Sequence, residues 1–347
     1  MKASILFGNG INRLSGDSFN WLHLLKNNLI LMDEKSLLGD DIFPSDSNAS
    51  VIFPLTHIYE DLVINMKCNI NYDEHRGLFN EEKSVKTNII RILEYYNLSE
   101  SSNTIYKLLL NLDVENYLTT NYDMYFNDIV KKEFSVEQEN SSEDIYSIST
   151  NTRYSKLHDN SSKVIWPIHG DITRFKSMIL GYDHYCGNLY KIEKYIRESY
   201  DNQDVNQEYL KFREKNKGLN CPNYPMFRLK NLPEPDIFKC WIDAFFATDL
   251  HIIGLGMDLA ENDIWWILNK RIRSKLYGWQ GNDDYRDIIK NKIFCYGYYP
   301  PHIYNLLKAY DVDVTNAYVN KPNSNAEWIE MYRQCIKAIE TNIKIRK

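Results

Sequence analysis

The feature that most constrains the fold is a series of short apolar runs that end in Gly, Asn or Asp and recur at wide spacing. Helical patterns lie between these runs, and this alternation is typical of a parallel β-sheet covered by helices. Five runs are predicted as strands and a sixth follows them, at residues 3–7, 115–119, 164–168, 250–254, 292–296 and 311–316.

Apolar residues at a three-to-four spacing predict one-sided helices between the strands, at residues 19–30, 85–96 and 264–276. Residues 33–112 are too many for a simple connection, so we expect an inserted helical layer there, and a second helical insertion at about 185–235. Residues 135–163 are rich in Ser, Asn, Glu and Asp, which predicts a long surface loop. The whole pattern predicts one domain over residues 1–347, an α/β fold with a Rossmann-like parallel sheet of about six strands flanked by helices.

Composition narrows the function classes. The chain has 47 acidic and 41 basic side chains, a formal net charge of -6, and no dense run of Lys and Arg, so direct nucleic-acid binding is not expected. No apolar run approaches the roughly 18 residues of a membrane span, and no secretory signal is recognised, so we expect a cytoplasmic protein. Six cysteines without a C-x-x-C pair argue against a zinc module and a disulfide framework.

The first predicted strand is followed by Gly8, Asn9, Gly10 and Asn12. Two glycines allow a sharp turn and a close approach of backbone N–H groups to a phosphate. A full dinucleotide fingerprint would have a third glycine where Arg13 stands, so a plain strand-to-helix turn is the alternative.

The second and third strands also end in polar residues. Thr120, Asn121 and Asp123 follow the second strand, where Asn121 and Asp123 could flank a ribose or a carboxamide. The alternative is the capped start of a helix. His169 and Gly170 follow the third strand, a suitable position for a general base, although a histidine bound to a nearby carbonyl would look the same.

The fourth strand leads into Gly254, Gly256 and Asp258, and then into a helix that carries Glu261 and Asp263. This loop could hold the adenosine half of a dinucleotide. Capping of the helix by acidic residues is the alternative, and we predict it for Asp263 in either case. Because four strand ends of one parallel sheet meet at one edge, we expect a single crevice.

In their order along the chain these motifs resemble the sirtuin superfamily, and specifically the branch of sirtuin-like NADases that serve as effectors in bacterial antiphage defence. Residues 8–12 resemble its phosphate-binding loop, and residues 119–123 resemble its Thr-Gln-Asn-x-Asp motif, with Thr120 in place of glutamine. His169-Gly170 resembles the catalytic His-Gly pair, and residues 254–258 stand where sirtuins carry their ribose loop. The zinc ribbon of protein-deacylating sirtuins has no counterpart here.

The resemblance implies an NAD+ hydrolase that cleaves the nicotinamide–ribose bond and depletes NAD as a gated antiphage effector. NAD is then the substrate, and no metal is expected. The implied catalytic residues are Asn121, His169 and Asp123, with His169 as the base and Asn121 orienting water. The implied NAD-binding residues are Gly8, Asn9, Gly10, Asn12, Thr120, Gly254, Gly256 and Asp258.

The resemblance also implies gating by a separate sensor protein and assembly into a homo-oligomer. The aromatic-rich residues 298–332 could supply a contact surface, with a core-packing strand and helix as the alternative. Two other functions stay open: an NAD or ADP-ribose sensor without catalysis, and a zinc-free sirtuin-type protein deacylase.

Overall fold

The computed structural model describes residues 2–16, 19–32, 54–69, 78–141, 145–156, 159–198, 204–216, 224–231, 238–277, 287–318 and 320–346. Within these residues nine strands form one mixed sheet. They are β1 (Ala3–Phe7), β2 (Asn116–Thr119), β3 (Ser135–Asn140), β4 (Asn151–Lys156), β5 (Asp159–Pro167), β6 (Asp249–Ile253), β7 (Ile293–Tyr298), β8 (Val312–Asp313) and β9 (Ala317–Tyr318).

The sheet has the strand order β3-β4-β5-β2-β1-β6-β7-β8, with β9 paired to β7. The six strands from β5 to β8 are parallel and correspond to the six predicted strands. Numbered along the chain, those six have the order 3-2-1-4-5-6, which is the Rossmann order. The prediction of a Rossmann-like α/β fold is therefore confirmed.

The prediction of a surface loop at residues 135–163 was wrong. Strands β3 and β4 pair antiparallel and extend the sheet beyond β5, and with β9 beside β7 they bring the sheet to nine strands where about six were expected. All six side chains of β3 are exposed, and only Tyr154 is buried in β4. A polar ribbon at a sheet edge is held by backbone hydrogen bonds and lacks the apolar alternation by which strands are recognised.

Twelve helices surround the sheet in the described residues. They are α1 (Trp21–Met32), α2 (Leu55–Asn69), α3 (Leu78–Tyr95), α4 (Glu100–Leu110), α5 (Tyr125–Val130), α6 (Tyr182–Glu198), α7 (Asp204–Lys215), α8 (Tyr224–Asn231), α9 (Ala244–Ala247), α10 (Asn262–Tyr277), α11 (Pro301–Ala309) and α12 (Asn325–Arg346). The three predicted helices are α1, α3 and α10. Helices α2 to α4 lie in the first predicted insertion and α6 to α8 in the second, while 33–53 and 70–77 fall outside the described residues. The division into one domain stays a prediction.

Strand β1 shows how the core is built. Ile5 and Leu6 are both fully buried because the two faces of the sheet each carry an apolar layer. On the Ile5 face, α12 contributes Tyr332 and Trp328 packs beside it. The aromatic-rich tail therefore supplies core packing at these two positions.

Helices α1, α2 and α3 form a separate apolar cluster. Residues of α1, α2 and α3 pack together with Tyr122 and Met178, which follow strands β2 and β5. The helical layer therefore packs against the loops that follow the carboxyl ends of β2 and β5. Among the described residues, no helix is both long enough and apolar enough to cross a membrane.

Candidate active site

The parallel strands end level with one another. Phe7 lies opposite both Thr119 and Ile253, and Thr119 lies opposite Pro167. The loops after β1, β2, β5 and β6 therefore emerge side by side. The strand order reverses beside β1, which is the place where Rossmann-type sheets bind dinucleotides.

Two of these loops are bound to each other through their backbones. The Gly8 N–H donates to the Ile253 carbonyl at 3.3 Å, and the Gly10 N–H donates to the Gly254 carbonyl at 2.7 Å. A Cβ atom at Gly10 would lie 2.7 Å from the Gly254 oxygen, so only glycine allows this approach. Because these two N–H groups already have partners, a phosphate on this loop would have to be held by other donors.

Asn12 joins the glycine loop to the loop after β2. Its Nδ2 donates to Asp123 Oδ2 at 2.8 Å and to Asn9 Oδ1 at 3.0 Å. Its Oδ1 accepts a 2.7 Å hydrogen bond from the hydroxyl of Tyr106, which in turn accepts one from Asn121 Nδ2 at 3.2 Å. Asn9, Asn12, Asn121 and Asp123 were predicted as site residues, and the structure brings them together around Tyr106.

Asn121 is buried, yet half of its amide is unpaired. Its Nδ2 donates to Tyr106, but its Oδ1 has no hydrogen-bond partner among the described residues. An unpaired buried acceptor is costly, so a group that binds here and donates a hydrogen bond would be favoured. Helix α5 begins only at Tyr125, whose N–H donates to Asp123, so Asn121 does not cap it.

The pKa of the Asp123 carboxyl lies close to neutral pH. Burial raises its pKa to about 6, although hydrogen bonds from the Tyr125 N–H and from Asn12 act in the opposite direction. At pH 7 the group is mostly ionised, and it places a negative charge among neutral amides.

His169 sits at the end of β5 between two carboxylates. Its Nε2 lies 3.0 Å from Asp263 Oδ2 and 3.7 Å from Glu261 Oε2. Asn188 donates to the same Asp263 oxygen at 2.8 Å, and the Tyr185 hydroxyl donates to Glu261 at 3.3 Å. The hydrogen-bond partner of the His169 ring is therefore a carboxylate, and not the nearby carbonyl that the alternative interpretation expected.

These carboxylates set the charge of His169. Burial alone would lower the pKa of its imidazole, but the negative charges of Asp263 and Glu261 and the hydrogen bond with Asp263 raise it to about 9. Burial also raises the pKa of Glu261 to about 7, against the opposing effect of the His169 charge. At neutral pH His169 therefore holds a proton that the two acids stabilise.

His169, Glu261 and Asp263 are also residue types that bind metals. One ligand atom from each lies within 4.8 Å of the others, which a divalent cation could bridge. Such a cation would compete with the proton on His169. The expectation that no metal takes part stays a prediction.

The loop after His169 is closed by backbone geometry. The Ile179 N–H donates to the His169 carbonyl at 3.0 Å. Gly170 has φ +83°, and a Cβ there would lie 2.1 Å from the Ser177 carbonyl oxygen. A side chain at position 170 would therefore open the loop that fixes His169.

The remaining predicted residues lie near the strand ends, but within the described part of the chain they form no hydrogen bond with Asn12, Asn121 or His169. Thr120 is buried, and its N–H donates to Phe7 at 3.3 Å. Gly256 is exposed, and a Cβ there would meet nothing within 4 Å. Asp258 is exposed, and its carboxylate accepts from the Ala260 N–H at 2.8 Å, which stabilises the turn before α10. Their roles in NAD binding stay predictions.

Sequence reasoning missed four partners of the site and the second contact of Asp263. Asp263 was expected to cap α10, and its Oδ1 does accept from the Ile264 N–H in the first turn of that helix at 2.8 Å. Its Oδ2 contacts His169 and Asn188, which was not predicted. Tyr106, Tyr185 and Asn188 lie inside helices and carry no local signal, and Glu261 had been noted only as an acidic residue.

Residues 115–213 match the family model described as SIR2-like domain. The match covers β2 to most of α7 and includes Asn121, Asp123 and His169. No curated protein matches the chain. Residues 115–213 are therefore a SIR2-like segment, and they belong to a sheet with the Rossmann strand order.

Proposed function

We propose that this protein hydrolyses NAD+ at the nicotinamide–ribose bond. The similarity of residues 115–213 to a SIR2-like domain supports an NAD-related function. The observation that carries the finer proposal is the unpaired, buried Asn121 Oδ1, which follows β2, while His169 follows the neighbouring strand β5. An amide acceptor and an acid–base group at adjacent strand ends are what hydrolysis at a sugar carbon requires.

In this proposal NAD lies across the carboxyl edge of the sheet. Its pyrophosphate lies on the loop of residues 8–12, held by donors other than the N–H groups of Gly8 and Gly10. The nicotinamide ribose lies between Asn121, Asp123 and His169. Thr120 and the loop of residues 254–258 complete the binding surface.

The reaction begins with breakage of the bond between ribose C1′ and the pyridine nitrogen. The bonding electrons stay on nicotinamide, which leaves as a neutral molecule, so no strong acid is needed. Positive charge develops on the ribose, and the Asp123 carboxylate supports it electrostatically. Asn121 Oδ1 accepts a hydrogen bond from the attacking water and orients it toward C1′.

His169 completes the step as the base. Water attacks C1′, its proton passes to the neutral imidazole, and the products are ADP-ribose, nicotinamide and one proton. Because the pKa of His169 is raised to about 9, the neutral form is a minor species at pH 7 and grows with pH. Asp263 holds the ring in place through the 3.0 Å contact with Nε2.

The biological role in the proposal is that of a gated antiphage effector that depletes NAD. An ungated hydrolase would exhaust the NAD of its own cell, so activity requires a trigger. A separate sensor protein and a homo-oligomer are the proposed means of gating.

The test is product analysis by chromatography after purified protein is incubated with NAD, alone and with lysate from infected cells. We expect equal amounts of nicotinamide and ADP-ribose from the wild type and much slower release of both from Asn121→Ala. The matched control is Asn140→Ala, because Asn140 is exposed on β3. Turnover only with an acyl-lysine peptide would make the protein a deacylase, and tight NAD binding without products under every condition would make it a sensor.

A further inference from the structure

A second group of charged side chains lines a small cavity beside the start of α6. The cavity has a volume of about 70 Å³, and its lining includes Glu82, Lys83, Lys86, Tyr146, Lys176 and His184. None of these residues belongs to the proposed active site. Three lysines face a single carboxylate there, so the cavity has an excess of positive charge.

The hydrogen bonds of His184 fix its ring. Its Nδ1 accepts from the Gly181 N–H at 2.9 Å and from the Leu180 N–H at 3.2 Å, so the ring hydrogen lies on Nε2. Nε2 lies 2.9 Å from Lys86 Nζ and 3.5 Å from Glu82 Oε2. Because Nε2 is a donor, it can bond to Lys86 only when that amine is neutral.

The Lys86 amine therefore lies in surroundings where its protonation state changes easily. Burial lowers the pKa of its amine to about 8, although the negative charge of Glu82 opposes this. An anion in the cavity would favour protonation of the Lys86 amine. The positive charge of Lys86 would then add to those of Lys83 and Lys176. A phosphate group, which carries up to two negative charges, matches this set of donors.

The cavity is connected to the active site by two short segments. Phe175, which also lines it, lies with Lys176 in the loop that closes on the His169 carbonyl through the Ile179 N–H. On α6, His184 is followed directly by Tyr185, whose hydroxyl contacts Glu261 and whose ring lies 5.7 Å from that of His169. A ligand that orders the cavity would therefore also order the loop after His169 and the start of α6, the two segments that contact His169 or its carboxylate partner.

We propose that this cavity binds the phosphate group of a small molecule and that binding stiffens the loop and helix that hold His169. The site serves regulation of the proposed hydrolase. Its occupancy does not depend on NAD turnover, so it can be tested even if the proposed activity is absent.

The test is calorimetric titration of the full chain with inorganic phosphate and, in a second arm, with AMP. The variant is Lys83→Gln with Lys176→Gln, because both side chains are exposed and their loss should leave the fold intact. The matched control is Lys107→Gln with Lys132→Gln, two exposed lysines outside the cavity. We expect at least tenfold weaker phosphate binding in the variant and no change in the control.

Equal binding of phosphate and AMP would assign the phosphate group alone as the ligand, and tighter AMP binding that the variant loses would assign a phosphorylated nucleoside. Hydrogen exchange should slow at residues 169–179 and 182–190 when the wild type binds phosphate, and not in the variant. Wild-type binding that the variant retains, or no binding by the wild type, would refute the site. Binding without slower exchange would refute the coupling to His169.

Discussion

The two halves of the candidate active site hold their side chains in different ways. In the amide half, Asn12 and Tyr106 tie Asn121 to Asp123 through neutral donors around a single carboxylate. In the imidazole half, Asp263 and Glu261 surround His169 and hold a proton on it. The amide half therefore controls position, while the imidazole half controls protonation, and substitutions in the two halves should fail in different ways.

The largest effect is expected in the imidazole half. His169→Ala removes the base, and general-base catalysis is typically worth about 10² to 10⁴ in rate. We expect a loss of kcat in this range with little change in NAD affinity, measured by nicotinamide release and by equilibrium binding. Hydrolysis at the wild-type rate would show that another group is the base.

Asp263→Asn sharpens the comparison through its pH dependence. Removal of the negative charge lowers the pKa of His169 from about 9 toward its ordinary value, so the neutral base forms at lower pH. The wild-type rate should rise up to about pH 9, whereas the variant should reach its plateau earlier. Looser positioning of the ring should make that plateau lower, by up to about a hundredfold.

The matched control for this variant is Glu340→Gln, which removes the charge of an exposed carboxylate that pairs with Lys344 on α12. Its pH profile should follow that of the wild type. Identical profiles for Asp263→Asn and the wild type would mean that Asp263 does not set the protonation of His169.

Asn12→Ala tests whether the amide half acts through position. The substitution leaves Asp123 Oδ2 and the Tyr106 hydroxyl without their buried partner, and each unsatisfied group costs about 1–3 kcal/mol. We expect a lower free energy of unfolding in urea and slower turnover. Loss of the Asn12 hydrogen bond raises the pKa of Asp123, so the fall in rate at acid pH should begin at a higher pH, while the rise toward pH 9 that reports His169 stays unchanged. A shift of that rise would mean that Asn12 also affects the protonation of His169.

Tyr106→Phe should have the smallest effect of the four. It removes one hydroxyl that donates to Asn12 and accepts from Asn121, at a cost of about 1 kcal/mol in unfolding free energy for each of these two hydrogen bonds. Turnover should fall by less than in Asn121→Ala. A loss equal to that of Asn121→Ala would mean that Tyr106 itself contacts the substrate.

The sequence predicted the amide half far better than the imidazole half. Asn121 and Asp123 follow a buried apolar strand, and Asn12 follows another, so local patterns place all three at one sheet edge. Asp263 meets His169 across 94 positions of chain, and the pairing is set by how α10 packs on the sheet. Tyr106 lies on an ordinary helix, so its hydroxyl could not be told from a core-packing aromatic.

The same distinction explains the one clear error in the fold. The parallel strands β1, β2, β6 and β7 are buried almost throughout and appear in the sequence as largely apolar runs, so the pattern found them. The β3–β4 ribbon has exposed, polar side chains, so its order comes from backbone pairing, which composition does not record.

The central claim, that both halves act on one substrate in one step, is tested most directly by NAD hydrolysis in the double variant Asn121→Ala with His169→Ala. When two groups serve the same step, the double variant loses little more activity than the slower of the two single variants. We therefore predict a residual rate of nicotinamide release close to that of the slower single variant. Losses that multiply, or a double variant as active as the wild type, would contradict a shared active site.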